Sequence, residues 1–162
     1  MSMIRRIGFT LGTALILAPW ALAQNAAPTP DVYTPDQLEA MEQTLQQKAD
    51  SKGLATQTIK KYTTDYAMLA FRSQSGQAEL HEKFADFYVV VAGEASLVSG
   101  GEIVSGKTTA AGEVRGDSIK GGQEVKLKKG DIIHIPANIP HQLVLAKGDT
   151  FQYFIVKVQE IQ

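Results

Sequence analysis

Two stretches of the 162-residue chain hold side chains able to do metal or acid–base chemistry. "AELHEKFADFYVVVAG", residues 78–93, carries Glu79, His81 and Asp86, and "GDIIHIPANIPHQLV", residues 130–144, carries His134 and His141. The chain has three histidines in all. Imidazole nitrogens and carboxylate oxygens both bind first-row divalent ions. If 78–82 is a strand, Glu79 and His81 point to one face, because side chains two apart share a side. Four residues separate His81 from Asp86, enough for the chain to turn into the Val-rich run. His141 opens a second apolar run after a Pro-Ala-Asn turn. Singly, each histidine reads as a surface or hydrogen-bonded structural residue, and 78–93 as a strand edge; only their arrangement argues for a site. His134 alternates away from Ile133 and Ile135 and is read as non-functional. There is no cysteine, which excludes thiolate metal sites, cysteine nucleophiles and disulfides. No serine stands beside His81 or His141 to form a nucleophile–base pair.

The elements that would carry these residues begin after a separate N-terminal segment. Arg5 and Arg6 precede the apolar run "IGFTLGTALILAPWALA", and Ala21-Leu22-Ala23 is a small-x-small cleavage site. Residues 1–23 are thus expected to be a secretory signal peptide, which places the protein in the periplasm or outside the cell. Pro19 breaks the run below the ~20 residues of a spanning helix, so no membrane association is expected after cleavage. The arginine pair also fits the twin-arginine route poorly, because Gly8 stands where a larger apolar residue belongs. Removing Arg5 and Arg6 from 16 basic residues leaves 14 against 17 acidic ones, a net charge of −3. That balance argues against a nucleic-acid partner. Residues 24–34 are Ala/Pro-rich and read as a flexible lead-in. A helix is expected over 35–53: Thr34 caps it, Gln37 completes a capping box, Leu38, Met41 and Leu45 keep helical spacing, and Gly53 stops it.

From residue 56 to 162 the period becomes strand-like. Ten short apolar runs separated by Gly, Asp and Pro, after one helix, predict an all-β sandwich or barrel. Within it "DFYVVVAG" and "EASLVSG" read as two strands broken at Gly93. "KTTAAGEVRGDSIKGG", 107–122, has no period and reads as a long loop, either a disordered excursion or a lid. Lys126 and Lys128 alternate with Val125 and Leu127, a solvated strand face. The Gly100-Gly101 and Gly121-Gly122 pairs are turns without the strand-to-helix context of a phosphate loop.

The two histidine stretches resemble the paired motifs of the cupin superfamily. In the first, Gly93 matches the closing glycine, Asp86 the acidic residue six positions before it, His81 the second histidine and Glu79 the first. In the second, Gly130, Pro136, Asn138 and His141 keep the spacing, with Asn138 in place of a glycine; Asn tolerates positive φ, so the turn should survive. The resemblance covers about residues 66–158. It implies a cupin-type double-stranded β-helix, or jelly-roll barrel, preceded by one N-terminal α-helix. It also implies one divalent metal ion, Mn, Fe, Ni or Zn, held by Glu79, His81, His141 and Asp86. Asp86 is one methylene shorter than the family's glutamate. It is therefore either a ligand and general base, or the group that orients His81 or a water. Pairing of barrels as a homodimer is implied as well.

Arg72, Tyr88, Gln142 and Tyr153 lie on strands that should border the barrel and are pocket candidates, while Glu113 and Arg115 could cover its mouth. The expected partner is a small-molecule ligand or substrate. The resemblance implies oxygenase, isomerase or lyase chemistry on a small oxygenated organic molecule. The alternatives are a non-catalytic binding module and a metal-free structural barrel.

Overall fold

The computed structural model describes residues 29–160. The segment read as a signal peptide, and residues 24–28 of the lead-in, lie outside the described residues. Thr34 accepts a hydrogen bond from the Gln37 amide while Gln37 Oε1 accepts one from the Thr34 amide, so the capping box starts helix α1, Pro35–Gln47. The helix ends six residues before Gly53. Asp50 Oδ1 accepts from the amides of Lys52 and Leu54 at 2.9 and 3.0 Å and turns the chain instead. Gly53, at φ +66°, serves that turn and not the helix end.

Twelve strands follow: β1 (Leu54–Lys61), β2 (Asp65–Arg72), β3 (Ala78–His81), β4 (Phe84–Ser99), β5 (Glu102–Val104), β6 (Lys107–Ala110), β7 (Glu113–Gly116), β8 (Ser118–Lys120), β9 (Gln123–Lys128), β10 (Ile132–Ile135), β11 (His141–Val144) and β12 (Phe151–Gln159). All pairings are antiparallel. One sheet runs β1-β2-β12-β4-β10 and the other β9-β4-β11-β3-β7-β6, with β5 and β8 as a separate ribbon. The strand shared by both is β4. Residues 84–93 pair with β12 and 94–99 with β9, so the two strands read from sequence are one 16-residue strand that crosses between sheets. The crossing point is Gly93, at φ +78°, where a side chain would run into the Thr150 carbonyl oxygen. The glycine therefore marks a bend and not a strand end.

The core lies in two parts. Tyr88, Val90, Leu97, Leu127, Ile135, Leu143, Phe151, Tyr153 and Ile155 fill the space between the sheets. On the outer face of β2, Leu69 and Phe71 pack with Ala55 under Leu45 of the helix, flanked by Leu38 and Met41. Because β2 is covered on both faces, its middle, residues 67–71, is apolar throughout rather than alternating. Ala70 and Arg72 occupy the opposite phase and face the barrel interior. Segment 107–122 corrects the expectation of a structureless loop, since it supplies β6, β7 and β8. Its strands, three or four residues long, carry too few apolar positions for a period to show.

Gly93→Ala should destabilise the fold by about 2–5 kcal/mol, the strain of positive φ plus overpacking. Gly148→Ala, also at positive φ but with open space around it, should cost only about 1–2 kcal/mol. Denaturant unfolding of both variants checks the difference.

Candidate metal centre

Strand register brings the chemistry-bearing residues together. Glu79 stands opposite His141 across β3 and β11, and opposite Arg115 across β3 and β7. His81 faces Glu113 on β7. On the other sheet, Asp86 of β4 stands opposite Lys157 of β12. The Asn138 turn, at φ +64°, donates its amide to the His81 carbonyl at 2.8 Å, so the second motif holds the first in place. Asn138 thus takes the left-handed conformation expected of a glycine substitute.

The hydrogen bonds assign the tautomer of His81. Nδ1 lies 2.7 Å from Glu113 Oε2, an acceptor, and Nε2 lies 2.8 Å from the Lys157 ammonium, a donor. Neutral His81 therefore carries its proton on Nδ1 and presents a lone pair at Nε2. His141 has the same arrangement, with Nδ1 donating to the Ile139 carbonyl at 2.9 Å. Its Nε2 is buried and has no hydrogen-bond partner, alone among the buried side-chain polar atoms of the described residues. That atom faces only acceptors: Glu79 Oε1 at 3.8 Å and Asp86 Oδ2 at 3.6 Å. Glu79, His81 and His141 each offer a ligand atom, and the three lie within 4.8 Å of one another. An ion bonded at ~2.0–2.2 Å keeps its ligand atoms within ~4.4 Å, so the three would draw in slightly. The donor set fits a first-row divalent ion.

Asp86 stands beside this group. Its exposure is 1%. Oδ1 accepts from Lys157 Nζ at 2.6 Å and Oδ2 from Tyr88 Oη at 3.0 Å. Burial alone would raise the Asp86 carboxyl. Donation from His141 and His81, which acts when their Nε2 atoms carry a proton, and the charge of Lys157 outweigh burial and hold it well below the usual carboxylate range. Burial, with Asp86 close by, pushes the Tyr88 phenol well above its ordinary value.

Two cations change the electrostatics that the sequence suggested. Arg115 Nη2 pairs with Glu79 Oε2 at 3.2 Å and Glu113 Oε2 at 2.9 Å, and Lys157 pairs with Asp86. With Glu113 included, the group therefore has three carboxylates against two cations. Glu113 and Arg115, read from sequence only as possible cover, are direct neighbours of His81 and Glu79. Lys157 is the residue that sequence reasoning misses. A signal for it exists: Phe151, Tyr153, Ile155 and Lys157 share one phase of β12, and a lysine on an inward phase needs a buried partner. His134 is exposed and stacks on Phe87, ring centroids 4.3 Å apart, away from the group.

Above the centre opens a cavity of about 1120 Å³, lined among others by Glu79, Asp86 and Lys157. Arg72, Tyr88, Gln142 and Tyr153 line it too.

No protein-family model and no curated protein matches the sequence. Solved structures do. The protein TT1209 from Thermus thermophilus is 16% identical with a TM-score of 0.50, over 68% of this chain and 88% of that one. The polyketide cyclase RemF from Streptomyces resistomycificus is 17% identical, TM-score 0.49, over 67% of each chain. The DMSP lyase DddQ from Ruegeria pomeroyi is 14% identical, TM-score 0.48, over 67% of this chain, which spans about half of DddQ's length. At such identity the likeness to TT1209 concerns architecture alone, an antiparallel β-barrel with one helix before it, which is the architecture expected from the cupin resemblance of the two histidine stretches.

Lys157→Met should destabilise the chelator-treated protein by about 3 kcal/mol, because it leaves a buried carboxylate without its cation. Asp86 has a depressed folded-state pKa, so its contribution is present above pH ~4 and is lost as pH falls through the folded value. The gap between variant and wild type should therefore narrow in acid, read by urea unfolding at pH 7 and pH 3.

Proposed function

We propose that the chain is an exported cupin barrel that holds one divalent ion through Glu79, His81 and His141 and acts on a small oxygenated organic molecule. The observation that carries this reading is the orphaned His141 Nε2. It is a buried ring nitrogen aimed at two carboxylates, an arrangement that is costly without a cation or proton between them. The ion, Mn, Fe, Ni or Zn, would supply Lewis-acid polarisation of a carbonyl or enediol oxygen. Glu113 supports the same reading, since a carboxylate on the far nitrogen fixes a ligating histidine's tautomer and raises its basicity.

The chain's own groups favour isomerase or lyase chemistry over oxygenase chemistry. A carboxylate held as low as Asp86 is a weak base, so Asp86 is better suited to hold Lys157 and Tyr88 in place than to take a proton. Lys157 lines the cavity and presents an ammonium where negative charge develops on a carbonyl or enediol oxygen of the substrate. With His81 as a ligand, Lys157 gives up His81 Nε2 and keeps Asp86. Export is supported by the Arg5-Arg6 pair, the apolar run and Ala21-Leu22-Ala23.

One observation favours a second reading. Lys157 already touches both Asp86 and His81, so it could be the resident cation of a metal-free binding module.

Elemental analysis of tag-free protein separates the two. About one equivalent of metal is expected in the wild type and little in a His81→Ala, His141→Ala double variant. Glu113→Gln should weaken metal affinity about 10–100-fold, read by competition with a chromogenic chelator. A wild type that arrives empty and takes up none of the four ions would overturn the metal reading and leave the second.

A further inference from the structure

The cavity holds an interior cation that the centre does not use. Arg72, at the end of β2, is 9% exposed and lines the cavity wall. Its only hydrogen-bond partner among the described residues is Tyr153 Oη, which accepts from Nε at 3.0 Å. Burial, opposed by the Arg72 charge, raises the Tyr153 phenol, so this partner is neutral. The other two shielded cations of the cavity are matched, Arg115 by Glu79 and Glu113, and Lys157 by Asp86. Arg72 has no carboxylate within ion-pair distance among the described residues. Four of its five N–H groups remain free for the cavity.

The surroundings fix the guanidinium in place. Gly76 lies against it so closely that an added Cβ would sit 2.9 Å from both Cζ and Nη1. Gly76 is itself anchored: its amide donates to the Leu143 carbonyl at 2.8 Å, and Gln142 Nε2 donates to its carbonyl at 2.9 Å. Tyr153 packs against Tyr88, ring centroids 4.9 Å apart and tilted by 58°, and the Tyr88 hydroxyl reaches Asp86. The oriented arginine and the candidate centre thus belong to one connected wall of one cavity.

A buried guanidinium without a counter-ion is costly. One that is pinned, with its Nη groups open, matches the bidentate geometry of a carboxylate. We propose that the cavity binds a small organic carboxylate. The carboxylate pairs with the Nη groups of Arg72, and the rest of the molecule extends toward Glu79, His81 and His141. The anchoring half stands on Arg72 alone, while the direction of the remainder rests on the function proposed above. Tyr153 and Gly76 act as positioning residues for Arg72.

The test is calorimetric titration of the purified, chelator-treated protein with succinate, and with succinamide as the uncharged analogue of the same length. Succinate should saturate one site at millimolar concentration or below, and succinamide should bind at least 10-fold more weakly. Arg72→Met should lose succinate binding by 10-fold or more. Arg72→Lys, which keeps the charge but not the fork, should fall between, as should Tyr153→Phe, which frees the guanidinium without altering charge. Thermal melts confirm that each variant is folded, and Arg72→Lys and Tyr153→Phe keep the test decisive if Arg72→Met does not fold. Equal binding of succinate and succinamide would overturn the proposal, as would unchanged binding by folded Arg72 variants or saturation by inorganic phosphate but not by succinate. Metal uptake on the same wild-type preparation keeps the two readings apart. Succinate binding without metal uptake supports the anion site and sinks only the metal reading, and metal uptake without succinate binding does the reverse.

Discussion

Asp86 is buried, ionised and surrounded by groups from four strands: Tyr88 from its own β4, His81 from β3, His141 from β11 and Lys157 from β12. A lone carboxylate in that position would cost several kcal/mol, and one approached from only one side would still be poorly compensated. The barrel therefore has to close with a particular register. A one-residue slip of β12 against β4 would turn Lys157 to the outer face and bring its neighbours' side chains in. The apolar positions Tyr153 and Ile155 enforce the same register, because they share the phase of Lys157 and fill the space between the sheets. Core packing and charge compensation thus select one alignment.

Three carboxylates and two basic side chains meet around two histidines, and their order matters more than their sum. Arg115 and Glu113 sit on the far side of His81 and Glu79, where they fix a tautomer and one carboxylate oxygen. Lys157 and Tyr88 occupy both oxygens of Asp86. What remains unsatisfied is His141 Nε2, with Glu79 Oε1 opposite. Around the two histidines the polar contacts leave one small volume bounded by good ligand atoms, and a network left incomplete at such a point is costly unless something fills it.

How much of this could be read from the sequence follows from which contacts are local. Period-two spacing put Glu79 and His81 on one face, and the Pro-Ala-Asn turn brought His141 in after it, because both depend on residues a few positions apart. The positive φ of Asn138 was legible for the same reason. The all-β class followed from the number and spacing of the apolar runs, and the barrel from the resemblance of the two histidine stretches. The pairings Asp86–Lys157, His81–Glu113 and Glu79–Arg115 span 71, 32 and 36 positions. They depend on strand order, which no local pattern states. The 107–122 segment was opaque because its strands are short, and those bearing Glu113 and Arg115 are held by neighbours rather than by their own apolar content. Gly93 misled in a specific way: a glycine that breaks a strand and one that lets a strand change sheets look alike in one dimension.

The position of β12 also has a kinetic side. It lies between β2 and β4, and both β2 and the first half of β4 depend on it for a hydrogen-bonded neighbour on their interior edge. Until residues 151–159 have been synthesised and have found their place, the first sheet stays split and the buried face of β2 has no lid. Folding is therefore governed by a contact of large sequence separation, which makes barrel closure slow compared with helix formation.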